Sequence, residues 1–221
     1  MNRVAFIYAF MLVLLFLGCS SAKKALYAEE SVGSIAFASP RIPVNVPKET
    51  PKIEPPAVPL HILGKGSMDG ATLARFLRNT NPLIEKKFAE DFAEIYVEEA
   101  AVEGVNHDVA FSQMCLETGF LSYGGLVTPD MNNFCGLGST GAGVAGERFP
   151  TPRIGVRAQI QHLKVYATGA PLKRELVDPR RQYVSAGSAP TIDGLSGSWA
   201  SDGEYAQKIK NILSRLYRGS F

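Results

Sequence analysis

From residue 67 onward, apolar residues recur at helical rather than strand spacing. Leu73, Phe76 and Leu77 share one face of a short segment that Asn81-Pro82 closes. Phe88, Phe92, Ile95 and Tyr96 repeat with Glu and Lys between them, predicting an amphipathic helix ended by Gly104. Val109, Ala110, Phe111, Met114, Cys115 and Leu116 follow with little polar interruption. A helix apolar nearly all round is usually buried on most sides. Val156, Ile160, Leu163 and Ala167 predict another amphipathic helix, and Tyr205, Ile209, Ile212, Leu213 and Leu216 a last one. Ser201 and Glu204 have the spacing of a capping box at its start. The intervening stretches, 119–152 and 169–199, are rich in Gly, Asn and Ser and read as loops with short strands. The expectation is a mainly α (α+β) domain over 67–221 with little sheet.

The first 66 residues follow other rules. Arg3 precedes an uncharged apolar run from Ala5 to Leu17, thirteen residues long. A membrane-spanning helix needs roughly 17–25 residues, so this run suits the apolar region of an export signal over 1–18. Phe16-Leu17-Gly18-Cys19 resembles the lipobox of bacterial lipoproteins, with Phe16 where Leu is usual. That resemblance implies lipidation of Cys19 and a membrane anchor; the alternative is an ordinary secretory signal with an incidental cysteine. Residues 19–66 carry Pro40, Pro43, Pro47, Pro51, Pro55, Pro56 and Pro59 among Lys and Glu. Each proline removes a backbone donor and restrains its neighbour, so a solvated tether is expected.

Composition changes this picture little. The chain has 221 residues and a net charge of +2, too even a balance to argue for nucleic acid. Its three histidines, His61, His107 and His162, show no metal-ligand spacing, so neither metal nor cofactor is expected. For the same reason no histidine is placed to serve a cysteine nucleophile.

Glu117 carries the most chemical information. It ends the apolar helix just before Thr118-Gly119, where packing can hold a carboxylate beside loops open to a substrate. Apolar neighbours disfavour its charged form and should raise its pKa, as a general acid requires. Ser112–Gly125, SQMCLETGFLSYGG, and Asn132–Gly138, NNFCGLG, together resemble the glucosaminidase family of peptidoglycan hydrolases. The likeness extends over about 67–217. It implies a lysozyme-like helical lobe with a small β-lobe over the cleft, and an endo-β-N-acetylglucosaminidase cutting peptidoglycan glycan strands. Glu117 falls on the family's catalytic acid, and Asn133 and Phe134 fall on the segment lining the cleft floor. Trp199–Tyr205, WASDGEY, resembles the late motif whose tyrosine packs near that acid. Tyr123, Trp199 and Tyr205 are then expected to contact sugar.

A second carboxylate is less firmly anchored. Glu147 is the first candidate and Asp130 the second, with assistance from the substrate's own 2-acetamido group as an alternative. If Cys19 is lipidated, Cys115 and Cys135 remain as a pair, either bridged or as two buried thiols. The resulting expectation is an exported, monomeric cell-envelope lipoprotein facing peptidoglycan. Its rivals are a lytic transglycosylase and a non-catalytic wall-binding lipoprotein.

Overall fold

The structure is a computed structural model and describes residues 57–139 and 143–219. The expected signal peptide, Cys19 and the tether up to residue 56 lie outside the described residues. Among those described are five α-helices: α1 (Gly70–Thr80), α2 (Lys86–Glu103), α3 (His107–Thr118), α4 (Pro152–Ala167) and α5 (Tyr205–Arg218).

Local chemistry sets most helix ends. Asp69, Asn106 and Thr151 accept backbone N–H groups at the starts of α1, α3 and α4, and Pro152 begins α4 where its missing N–H costs nothing. Gly104 and Gly119 close α2 and α3 in the left-handed conformation, with φ of 76° and 57°. The capping box expected from Ser201 and Glu204 does not form. Helix α5 begins only at Tyr205, Glu204 makes no side-chain cap, and Asp202 Oδ1 accepts the Glu204 N–H instead.

Helix α3 is the centre of the domain. Its residues from His107 to Cys115 are all buried. It packs on α2 and α5, while α2 also packs on α1 and α4. Phe92, Tyr96 and Phe111 meet edge to face, at 5.3 Å for each successive pair, linking α2 to α3 through aromatic rings. The charged residues of α2 are not all solvated, as an amphipathic reading implies. Glu99 is 1% exposed and holds Arg153 and Arg157 of α4. Glu103 pairs with the buried Lys164 of α4 at 2.7 Å and accepts the N–H groups of Lys173 and Arg174.

The sequence expectations need correction at two further places. Sheet is absent among the described residues beyond three isolated bridges, so no β-lobe of paired strands forms there. The region after α3 is instead organised by Asn133. Its amide donates to the carbonyls of Leu137 and Glu147 and accepts the Leu137 N–H. The second correction concerns the start of the fold, which precedes Ser67. Ile62 is fully buried, its N–H donates to Pro190 O and its carbonyl accepts the Asn106 N–H. His61 and Leu63 bridge to Thr191 and Val105. A single apolar residue held by backbone pairing on both sides leaves no periodic trace in a sequence.

Candidate active site

Glu117 sits on the last turn of α3, at one wall of a cleft of about 620 Å³. Tyr123, Gly124, Gly125, Leu126 and Val127 line the cleft on one side, Cys135, Gly136 and Ser139 on another, and Trp199, Ala200 and Ser201 on a third. Among the described residues Glu117 is the cleft's one charged lining side chain. Its carboxylate is reachable by solvent along the cleft and walled by protein elsewhere.

Two donors converge on one of its oxygens. Trp199 Nε1 donates to Oε1 at 3.2 Å, and the Tyr205 hydroxyl donates to the same atom. No described residue hydrogen-bonds Oε2, which faces Gly136; a Cβ added at that glycine would lie 3.6 Å away. Burial raises the pKa of Glu117 above the usual carboxylate range, and the hydrogen bonds from Tyr205 and Trp199 partly offset that rise. Burial, reinforced by the Glu117 charge, also pushes the Tyr205 phenol well above its ordinary value, so Tyr205 acts as a neutral donor. Trp199 is set by packing. Its ring meets His162 edge-on at 4.9 Å and leans on Tyr166 at 5.5 Å, and Tyr166 donates to Ser198 O.

The turn that follows Glu117 is unusual. Phe120, Leu121 and Tyr123 have φ of 56°, 58° and 54°, a left-handed region that costs non-glycine residues roughly 1–2 kcal/mol each. Thr118 and Asn81 hold it there. Thr118 Oγ1 accepts the Leu121 N–H, and Asn81 Nδ2 donates to Phe120 O at 2.9 Å. The strained turn carries Tyr123 to the cleft, where burial pushes its phenol up to about 12.

The remaining expected residues lie elsewhere. Asn133 is fully buried behind the loop it organises, and Phe134 packs on Phe92 with ring centroids 4.7 Å apart; neither lines the cleft. Glu147 does not line it either. Its side chain lies over Gly138, with Arg180 Nη1 3.9 Å from Oε1. Asp130 is exposed and held by Arg148 and Thr128, which lower its pKa to about 2. Cys115 and Cys135 are free, buried thiols in separate apolar clusters, so the bridge considered from the sequence is not made. Sequence reasoning overlooked Gln113, whose amide donates to the Tyr205 oxygen at 2.9 Å. A polar residue inside a helix apolar all round needs a buried partner, and that was its signal. No group of three or more metal-ligating side chains occurs among the described residues.

Residues 93–218 match the family model described as Glucosaminidase: Mannosyl-glycoprotein endo-beta-N-acetylglucosaminidase. The chain belongs to the glucosaminidase family. The match spans α3, the cleft loops, α4 and α5, and so includes Glu117, Trp199 and Tyr205. An uncharacterized protein of Borreliella burgdorferi is 39% identical over 155 residues, covering 70% of this chain and 76% of the other. Among solved structures, S. aureus Autolysin E in complex with the muropeptide NAM-L-ALA-D-iGLU is similar with a TM-score of 0.46 and 14% identity. That similarity covers 73% of this chain and 72% of the other.

Proposed function

We propose that this glucosaminidase-family protein is an endo-β-N-acetylglucosaminidase that hydrolyses peptidoglycan glycan strands, with Glu117 as general acid. The observation that carries the reading is the carboxyl group itself. It is the lone charge on its cleft among the described residues, burial raises its pKa, and one oxygen is left open to the cleft. A carboxyl so placed holds its proton more firmly than an ordinary carboxylate does, and can deliver it to a departing glycosidic oxygen. Tyr123 and Trp199 offer aromatic faces to pyranose rings along the same cleft.

The second group is best supplied by the substrate. With Glu147 turned toward Arg180 and Asp130 toward Arg148, the 2-acetamido oxygen of the sugar fits the role of internal nucleophile. It forms a bond to C1 as the glycosidic C1–O bond breaks and the leaving oxygen takes the Glu117 proton; water then attacks C1, opens the cyclic intermediate and returns a proton to the Glu117 carboxylate. The single carboxylate also favours a second reading, a lytic transglycosylase, in which the sugar's own 6-hydroxyl closes on C1 after the glycosidic bond breaks and gives its proton to the Glu117 carboxylate.

Digestion of purified peptidoglycan tests both. Glu117→Gln should stay folded, still bind glycan and lose cleavage by about 10²-fold or more. Undiminished cleavage would remove Glu117 from the mechanism. New reducing ends support hydrolysis, whereas 1,6-anhydro ends support the transglycosylase. We also infer that export and a lipid on Cys19 bring the enzyme to the wall. Cys19→Ala should move it from the membrane fraction to the soluble one, and persistence in the membrane would refute the anchor.

A further inference from the structure

Behind the carboxylate lies a line of polar side chains buried in an otherwise apolar helical core. Tyr96 of α2, Gln113 of α3 and Gln159 of α4 are each fully buried, and Tyr205 of α5 is 5% exposed. The Tyr96 hydroxyl donates to Gln159 Oε1 at 2.6 Å. Gln159 Nε2 donates to the Ala110 carbonyl at 3.0 Å and to Gln113 Oε1 at 2.9 Å. Gln113 Nε2 donates to the Tyr205 oxygen at 2.9 Å, and Tyr205 donates to Glu117 Oε1. Four of the five helices thus meet in one chain of hydrogen bonds that ends on the reacting group only at its last member.

The direction of this chain is forced. A carboxamide can be turned over, exchanging its donor and acceptor ends, unless a neighbour permits one sense only. The Ala110 carbonyl can only accept, so it fixes the Gln159 NH₂ group on its side. That NH₂ then requires the oxygen of Gln113, which leaves the Gln113 NH₂ facing Tyr205. With an N–H donor on that side, Glu117 Oε1 is the one acceptor left to the Tyr205 hydroxyl among the described residues, and the proton goes there. Oε1 of Glu117 therefore receives hydrogen bonds from both Tyr205 and Trp199, and among the described residues it has no acceptor to which its own proton could be given.

We propose that Gln113 and Gln159 are positioning residues that, through Tyr205, keep Oε1 of Glu117 an acceptor and confine its transferable proton to the cleft-facing Oε2. Resting on the reading of Glu117 as the acid, this assigns the two glutamines a role in directing the proton, not only in filling the core. Without the Gln159 anchor, Gln113 is free to turn its carbonyl toward Tyr205. The phenol can then donate to Gln113 and accept a proton from Oε1, which reverses the chain and hides the proton from the cleft.

The groups facing Glu117 that could confuse a titration are few. They are Tyr205 from α5, Cys135 from the loop and Tyr123 across the cleft, and all three have pKa values raised by burial. The test is a ¹³C carboxyl titration of Glu117 in the full-length protein, assigned with Glu117→Gln, alongside kcat and KM on soluble glycan fragments. In folded Gln159→Met and Tyr205→Phe, the Glu117 pKa should rise by about one unit. The alkaline limb of the kcat profile should move with it, kcat should fall about tenfold, and KM should hold within about twofold. Adding Gln159→Met to Tyr205→Phe should shift the pKa no further, because the chain acts through that hydroxyl. An unshifted Glu117 in folded Gln159→Met, or a full second shift on the Tyr205→Phe background, would overturn the proposal. If Gln159→Met does not fold, Gln159→Leu, which removes the same anchor and leaves Gln113 free to turn, decides by the same two criteria. The titration reads the chain whether or not the protein cleaves glycan, so failure of the assigned activity is told apart by Glu117→Gln.

Discussion

At the scale of single residues, Glu117 is held by opposing influences, and their signs give predictions. Burial raises its pKa, while Trp199 and Tyr205 favour the anion. Trp199→Phe removes the indole N–H but keeps a ring against His162 and Tyr166. The Glu117 pKa should therefore rise further, and the alkaline limb of activity should move upward in a pH–rate profile. An unchanged limb would mean that the indole bond has no influence on the acid. The same residue carries a cost in stability. A carboxyl whose folded pKa exceeds its unfolded one favours the fold most at low pH, and loses that advantage as pH rises through the folded value. Glu117→Gln should thus resist denaturant better than the parent at pH 8, with the difference shrinking toward pH 4. Gln113 shows why such detail escapes a sequence. Its meaning depends on Tyr205, ninety-two positions away, and on which end of its amide faces which neighbour.

At the scale of elements, period and punctuation made the helices legible, because core-facing residues at 3.6-residue spacing and terminal glycines act locally. Phe92 and Tyr96 could be placed on the inner face of α2, and Gly104 at its end, without knowledge of any partner. Glu99 and Glu103 of the same helix could not, because their partners on α4 and the following loop lie far along the chain. These two carboxylates supply an acid-sensitive joint. Burial would raise their pKa values, but Arg157 and Arg153 at Glu99, and Lys164 with two backbone N–H groups at Glu103, outweigh it and lower both. A depressed folded pKa gives stability that is complete above the unfolded value and lost as pH falls through the folded one. Unfolding by denaturant should therefore become easier below the usual carboxylate range, around pH 4 and under. Glu103→Ala strands a buried Lys164 and should cost about 3–5 kcal/mol at neutral pH, with a flatter acid limb. A loss below about 1 kcal/mol would place the joint among surface pairs of little weight.

At the scale of the whole molecule, the parts the sequence misjudged are those built by single contacts. The expected β-lobe rests on glycine-rich composition and family resemblance, yet the described segments 133–139 and 143–147 are joined by Asn133 and a single Glu147 N–H to Leu137 O bond, not by a strand ladder. The boundary at Ser67 followed the end of the proline run and the onset of helical period, but residues 60–64 are already locked between the 104–106 and 190–192 segments. Ile62 fills the core beneath them. This predicts different behaviour for two truncations that the sequence alone would treat as equivalent. A fragment of residues 57–221 keeps these backbone bonds and Ile62, and should unfold cooperatively. A fragment of residues 67–221 removes a fully buried side chain and leaves the carbonyls of Gly104 and Pro190 without their partners. It should lose several kcal/mol, at least the roughly 2–5 kcal/mol of an Ile→Ala core deletion, and melt many degrees lower. Ile62→Ala in the full-length protein separates the side-chain share from the backbone share. Equal melting temperatures for the two fragments would return residues 57–66 to the tether. The predicted difference would make them the segment that closes the domain.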